Sequence, residues 1–225
     1  MNFSEFKNCL LTISEIIYFD NNEYLREKTS NPLRLKEMID IAENLLANTA
    51  NEDERYFLMG TLGNLYRIYG EPQKAINILS ECIIIACNQN DSNREIVSLI
   101  RLGEAIKYNG NQMEALTIFN DVLDKCKADN NLLYVDFAMQ HKGKCLLELG
   151  EMAEAEKCFK EALKLRELKG DVSLIESTRQ ALNLTSFSKD FRSESKASAT
   201  NDFCTESVAT GTGVQTPNIS SFKSV

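Results

Sequence analysis

The sequence predicts an all-α fold in which helical hairpins stack into a solenoid. Two observations support this prediction. The 225 residues include only 3 Pro, 10 Gly and no Trp, and 43% of them are hydrophobic. That composition suits long helices better than a turn-rich β-sandwich. In addition, the chain aligns with itself when it is shifted by 40 residues, and a fixed period of this kind is the signature of a repeat architecture.

The repeat is carried by glycine, alanine and large apolar positions. The aligned sets are Gly63, Gly103 and Gly143; Gly70, Gly110 and Gly150; Ala75, Ala115 and Ala155; and Leu79, Phe119 and Phe159. Each unit is predicted to contain two helices, because a glycine such as Gly70 supplies the left-handed residue that ends the first helix. We therefore expect three repeats, near residues 56–89, 96–129 and 136–169.

A second set of glycines falls in the middle of the first helices. A mid-helix glycine costs about 1 kcal/mol relative to alanine. Because that cost recurs in register at Gly63, Gly103 and Gly143, we expect two helix backbones to approach closely there. The small residues expected on the opposite helix are Ala75, Ala115 and Ala155.

The repeats lie in a predicted domain of residues 51–185, with different segments on either side. Residues 1–50 are interpreted as a degenerate helical hairpin, with helices over Phe3–Phe19 and Leu33–Ala47. Val172–Leu184 is predicted to be a capping helix that covers the apolar face of the last repeat. Residues 186–225 are rich in Ser and Thr and lose the periodicity, so they are predicted to form a disordered tail.

The first unit carries a recognisable pattern, Leu62-Gly63-x-x-Tyr66 followed by Gly70 and Ala75. It resembles the signature of the tetratricopeptide repeat, and the later units resemble it through Leu102-Gly103 and Gly143. The period of 40 exceeds that family's usual length of about 34 residues. It is similar to the long-helix repeats of kinesin light chains and of bacterial peptide-sensing regulators. The resemblance implies a right-handed α-α superhelix of three clear repeats.

The resemblance also implies a binding surface. In this family the first helices line a concave groove, and set positions of each repeat point into it. The candidate partner-binding residues are Phe57, Asn64, Arg67, Val97, Ile100, Glu104, Lys107, Phe137, Gln140 and Lys144. An apolar row beside a polar one suits a peptide ligand, and the alternative is that these residues only line a curved stack. If the polar row is a binding site, partner affinity should depend on it while the fold does not.

The net charge and the cysteine and histidine content make several classes of function unexpected for this chain. The formal net charge is −8, and the charges of residues 186–225 cancel, so the excess lies in the helical part. An acidic body predicts no nucleic-acid partner and no anionic membrane surface. Seven cysteines without a CxxC pair, with His141 as the one histidine, predict reduced thiols in a cytoplasmic protein. We find no catalytic, cofactor-binding or metal-ligating constellation, so neither enzymatic activity nor a cofactor is expected.

The sequence therefore predicts a scaffold or adaptor that binds a peptide or protein segment in the groove. The first alternative is a regulatory peptide sensor whose helical stack changes conformation when the ligand binds. An enzyme is the second alternative, although no set of residues supports it. The partner and the oligomeric state stay open.

Overall fold

The computed structural model describes the backbone of residues 1–198 and the side chains of residues 1–186. In chain order the elements are α1 (Phe3–Leu10), β1 (Ile17–Asp20), β2 (Arg26–Thr29), α2 (Pro32–Asn48), α3 (Glu52–Tyr69), α4 (Pro72–Asn88), α5 (Ser92–Tyr108), α6 (Gln112–Ala128), α7 (Val135–Glu148), α8 (Met152–Lys169) and α9 (Val172–Ser198). Short 3-10 turns at Ile13–Ile16 and Asn21–Glu23 flank β1.

Six of the helices form three consecutive hairpins: α3 with α4, α5 with α6, and α7 with α8. The second helices begin at Pro72, Gln112 and Met152, which reproduces the 40-residue period. Along the stack, α3 contacts α5, α5 contacts α7, and α7 contacts α9. The first helices therefore form the inner layer, and exposed apolar side chains such as Ile84 and Met113 lie on the second helices. The predicted all-α solenoid is confirmed.

The glycines that separate the two helices of each repeat adopt the expected conformation. Gly70, Gly110 and Gly150 have φ values of 95°, 89° and 79°, in the left-handed region that glycine enters at little cost. The backbone amide of Gly70 closes the last turn of α3 on the carbonyls of Arg67 and Tyr66.

The mid-helix glycines have a different neighbour from the one expected. A Cβ atom built on Gly103 would lie 2.6 Å from Phe119 Cε1, and one on Gly143 would lie 2.5 Å from Phe159 Cε1. At Gly63 the obstructing group is Leu79. These glycines make room for a large side chain of the second helix, so the expectation that they face Ala75, Ala115 and Ala155 is wrong. The register of the repeats is unaffected, because the obstructing residues recur every 40 positions.

The expectation of one helix over Phe3–Phe19 is also wrong. Helix α1 ends at Leu10, and β1 and β2 pair as an antiparallel hairpin with Phe19 opposite Glu27. We call residues 17–29 the β-hairpin. Its sequence explains the change, since Ile17-Tyr18-Phe19 favours a strand and Asp20-Asn21-Asn22 favours a turn. Asp20 accepts a hydrogen bond from the Asn22 amide at 2.9 Å. Helix α2, over Pro32–Asn48, corresponds to the second predicted helix.

At the other end of the stack, α9 packs on α8 and extends beyond Leu184, the expected end of the capping helix, to Ser198. No Gly or Pro interrupts this stretch. The predicted tail therefore begins with helical backbone as far as Ser198, and its remainder, residues 199–225, lies outside the described residues.

Candidate functional site

The inner layer of the stack contains a cavity of about 230 Å³. Helices α3, α5 and α7 form its floor, and other elements close its sides. Lys7 and Leu10 approach from α1, with Leu11 just beyond it, Phe19 and Glu27 from the β-hairpin, Arg166 from α8, and Leu174 and Ser177 from α9. The cavity is thus bounded by segments more than 150 residues apart in sequence, which the curvature of the stack brings together.

Nine of the ten candidate residues line this one cavity: Phe57, Asn64, Arg67, Val97, Ile100, Glu104, Phe137, Gln140 and Lys144. The tenth, Lys107, lies deeper, and its side chain is fully buried. Its Nζ is 2.8 Å from Glu104 Oε1 and 3.8 Å from Glu148 Oε1. Lys107 therefore lies behind the cavity wall and does not line the cavity.

One part of the wall is apolar. Phe57, Val97, Ile100 and Phe137 come from three successive first helices, and Val97 and Ile100 are each only 6% exposed. The ring of Phe57 packs edge-to-face against Phe3 of α1, with centroids 5.4 Å apart. This surface can accommodate an aliphatic or aromatic group of a ligand, because apolar area removed from water contributes roughly 25 cal/mol per Å².

Gln140 is a neutral residue of the wall whose two polar side-chain atoms both have unused hydrogen-bonding capacity. It is 2% exposed, and neither its amide nitrogen nor its amide oxygen has a hydrogen-bond partner among the described residues. Leaving a buried donor or acceptor unsatisfied costs about 1–3 kcal/mol. A ligand that presents both an acceptor and a donor, as a peptide group does, would satisfy the two atoms together.

The charged residues of the predicted polar row form a buried network. Arg67 Nη1 lies 3.7 Å from Glu104 Oε2, and His141 Nδ1 lies 3.0 Å from Glu104 Oε1. Arg67, Glu104 and Lys144 are all buried. Removing one partner from such a network leaves an uncompensated buried charge, which destabilises the fold. Their burial therefore predicts that these residues contribute to folding, in contrast to the expectation from the sequence that the fold does not depend on them.

The β-hairpin supplies further partners for the charged residues of this network. Glu27 forms an ion pair with Arg67, and its backbone amide donates to the Tyr108 hydroxyl. Arg26 donates from Nε at 2.9 Å and from Nη2 at 2.6 Å to the two carboxylate oxygens of Glu148. Lys144 Nζ donates to the carbonyl of Leu25 at 3.3 Å. Charged and polar groups of the first helices thus contribute several of the contacts that hold the hairpin.

Burial and charge pairing shift the pKa values of the network's titrating groups in opposite directions. Burial by itself would raise the pKa of Glu27, but Arg67 and Lys144 outweigh it and bring that pKa to about 2. Burial lowers the pKa of Lys144 to about 8, although Glu104 and Glu27 oppose the shift. Burial likewise lowers the pKa of His141, against the attraction of Glu104. At neutral pH Glu27 is therefore ionised and Lys144 is mostly charged.

Several residues of the site were missed by sequence reasoning. Phe19, Glu27 and Leu174 lie outside the repeats, so no repeat position points to them. Arg101, His141 and Arg166 are inside the repeats, but at positions that the family's groove pattern does not include. The available signal was the strand-forming run Ile17-Tyr18-Phe19, which is unusual in a chain of long helices.

Within residues 1–186, whose side chains are described, no cluster of three or more His, Cys, Asp or Glu side chains has the arrangement that a metal ion needs. Over residues 1–198, no helix combines the length and the apolar character required to cross a bilayer.

This fold and inner cavity define a helical-repeat protein whose first helices face a shared concave surface. Residues 138–167 match the tetratricopeptide repeat family, so the third hairpin is similar to a tetratricopeptide repeat, and the chain has the fold of proteins built from such repeats. Comparison with curated proteins gave no match.

Solved structures with the same fold have low sequence identity to this chain. A Rap protein complexed with competence and sporulation factor is 17% identical, with a TM-score of 0.62 over 75% of this chain and 47% of the Rap chain. PlcR of Bacillus thuringiensis, in complex with the peptide PapR7 and DNA, is 17% identical, with a TM-score of 0.57 over 66% and 53%. Kinesin light chain repeats from Podosopora anserina are 15% identical, with a TM-score of 0.52 over 73% and 83%. This chain matches about half the length of the Rap and PlcR chains.

Proposed function

We propose that the chain binds a peptide, or an extended segment of a protein partner, in the inner cavity and acts without catalysis as an adaptor or scaffold. The observation that carries the proposal is Gln140, whose buried and unpartnered amide lines the same cavity as the apolar wall. A peptide offers the two complementary chemistries at once, an apolar side chain for the wall and a backbone amide for Gln140.

The size of the cavity limits how much of a ligand it can enclose. A cavity of 150 Å³ in another protein binds benzene, so about 230 Å³ accommodates one or two large side chains. The remainder of a longer ligand would extend beyond the cavity. We therefore propose a short anchored peptide segment, and we do not propose an extended peptide that is enclosed along its whole length.

The peptide-sensing alternative has specific support in the cavity walls. A ligand in this space would contact α1, the β-hairpin and α9, which are the first and last elements of the described chain. Ligand binding would therefore connect the two ends of the stack and favour one curvature over another. The structures of PlcR with PapR7 and of Rap with competence and sporulation factor show similarly folded proteins in complexes with such ligands.

The test uses a phage-displayed library of random 12-residue peptides and the full-length chain. Peptides selected on the wild type are titrated calorimetrically against Val97→Phe, which fills the cavity, and against Gln140→Leu, which removes the free amide. Ile84→Phe is the matched control, because Ile84 is exposed on the outer helix α4. We expect Val97→Phe to abolish binding, Gln140→Leu to weaken it about five- to a hundredfold, and Ile84→Phe to leave it unchanged.

Three outcomes would overturn the proposal. The first is that the library yields no peptide that binds the wild-type chain. The second is that the selected peptides bind Val97→Phe with wild-type affinity. The third is that Ile84→Phe alone abolishes binding, since the partner surface would then lie on the outer helices.

A further inference from the structure

The β-hairpin lies where a partner segment would lie. Its residues Phe19 and Glu27 are part of the cavity wall, and its second strand runs beside α3. Three consecutive hairpin residues together contact the first helices of all three repeats. Leu25 packs with Leu146 and Leu147 of α7. Arg26 pairs with Glu148 of α7 and donates to the Lys107 carbonyl of α5 at 3.1 Å, and Glu27 pairs with Arg67 of α3. The hairpin thus makes the kind of contacts that a bound peptide would make.

The backbone of the hairpin adds to this resemblance. The Glu27 amide donates to the Tyr108 hydroxyl, and the Leu25 carbonyl accepts from Lys144. Both are bonds between a main-chain group of the hairpin and a side chain of the stack, so any extended segment of matching sequence can form them. Three kinds of group contact Leu25-Arg26-Glu27, in this order along the groove. An apolar cluster packs on Leu25, the Glu148 carboxylate pairs with Arg26, and the Arg67 guanidinium pairs with Glu27.

The hairpin also has little internal support. Each strand has four residues, and an isolated two-stranded hairpin is marginally stable in water. Its turn places two consecutive non-glycine residues, Tyr24 and Leu25, in the left-handed region with φ values of 55° and 62°. Such residues are strained unless their surroundings hold them. The hairpin is therefore suited to open while the helical stack remains folded.

We propose that the β-hairpin is an internal occupant of the partner site, and that a partner segment with an apolar–basic–acidic sequence like Leu25-Arg26-Glu27 displaces it. The inference rests on the proposed function and specifies the partner's chemistry. Without the hairpin, the charged partners left among the described residues are the more distant ones, Glu104 at 3.7 Å from Arg67 and Lys107 at 3.8 Å from Glu148. The replacing segment must therefore contain both a basic and an acidic residue, in the same order as Arg26 and Glu27.

The first measurement follows hydrogen exchange at single amides of the full-length wild-type chain by NMR. The Glu27 and Leu25 amides, both hydrogen-bonded in the folded state, are compared with the Ala105 amide of α5. If the hairpin opens locally, Glu27 and Leu25 exchange at least about tenfold faster than Ala105, with rates insensitive to low urea. Equal protection and equal urea dependence for all three amides would show that the hairpin opens only on global unfolding, which would overturn the proposal.

The second measurement uses a fluorescein-labelled synthetic peptide of residues 22–30. It is titrated into the wild type, into Glu27→Gln, and into the control Glu23→Gln, whose exposed carboxylate pairs with Lys28 of the hairpin itself. Weakening the contacts between the β-hairpin and the first helices should make binding of the added peptide tighter. We expect it to bind Glu27→Gln about ten- to a hundredfold tighter than the other two chains, the range for one lost hydrogen bond to a charged group. The same peptide carrying Glu27→Gln should bind correspondingly more weakly.

Failure of this inference is distinguishable from failure of the proposed function. If the peptide binds all three chains equally, or if its Glu27 is irrelevant, the hairpin is a permanent part of the wall and the inference is wrong. The selected library peptides and the Val97→Phe variant would still decide the proposed function, because they probe the cavity and not the hairpin contacts.

Discussion

Glu27 and Arg67 form a largely buried ion pair between residues 40 positions apart, one on the β-hairpin and the other on the first repeat helix. The pair joins the segment before the repeats to the inner surface of the stack. It also accounts for two properties of the site: the guanidinium of Arg67 is buried without loss of its charge, and the carboxylate of Glu27 stays ionised beside the cavity.

The first prediction concerns acid stability. The pKa of Glu27 is about 2 in the folded chain against an ordinary 4.5. Because the folded pKa is lowered, this carboxylate stabilises the fold above about pH 4.5, and the contribution is lost as the pH falls towards 2. Each pKa unit corresponds to about 1.4 kcal/mol, which sets an upper limit of roughly 3 kcal/mol. Glu27→Gln should therefore lower the free energy of unfolding at pH 7 by about 1–3 kcal/mol, and by much less near pH 2.5.

The measurement is urea unfolding followed by circular dichroism at both pH values, with Glu23→Gln as the control. A pH-independent difference between Glu27→Gln and the wild type would contradict the ion-pair explanation.

A second prediction concerns the attachment of α9. Arg166 is buried, and it donates to Asp136 at 3.1 Å, to Thr178 Oγ1 at 2.7 Å and to the Leu174 carbonyl at 3.1 Å. It thereby connects α7, α8 and α9. We expect Arg166→Ala to destabilise the chain by about 3 kcal/mol or more, because buried Asp136 loses a partner. The matched change Arg179→Ala, at an exposed pair with Glu167, should cost less than about 1 kcal/mol. Similar melting temperatures for the two variants would show that Arg166 is not an anchor.

The third prediction concerns the glycine of the second repeat. Gly103→Leu places a side chain where Phe119 Cε1 would be 2.6 Å from its Cβ. Overpacking of this kind costs typically about 1–3 kcal/mol or more. The exposed change Glu154→Gln should stay within about 0.5 kcal/mol of the wild type. Thermal unfolding of both variants tests the prediction, which fails if Gly103→Leu melts with the wild type.

The fourth prediction separates binding from stability at one residue. Gln140→Leu removes a buried amide that has no partner among the described residues. Replacing an unsatisfied polar group by an apolar one of similar shape is nearly neutral or stabilising. We expect the free energy of unfolding to be unchanged or raised by up to about 1 kcal/mol, while peptide affinity falls. A marked loss of stability in chemical denaturation would show that the Gln140 amide stabilises the fold and is not free to bind a ligand.

The amino-acid sequence by itself determined the repeat architecture. Helix periodicity, the breaks at Gly70, Gly110 and Gly150, and the 40-residue register are local features, and they recur three times. Nine of ten predicted groove residues meet in one cavity for the same reason, since equivalent positions of a repeat point in the same direction.

Only the tertiary structure decided what closes the cavity. The contacts of the β-hairpin join residues far apart in sequence, such as Arg26 with Glu148 and Asn21 with Gln180. No local pattern encodes such pairings, because they depend on the curvature of the whole stack. The burial of Arg67, Glu104 and Lys144 follows from the same cause. Their polarity suggested an exposed stripe, but a hairpin with complementary charges covers them, and pairing offsets the cost of their desolvation.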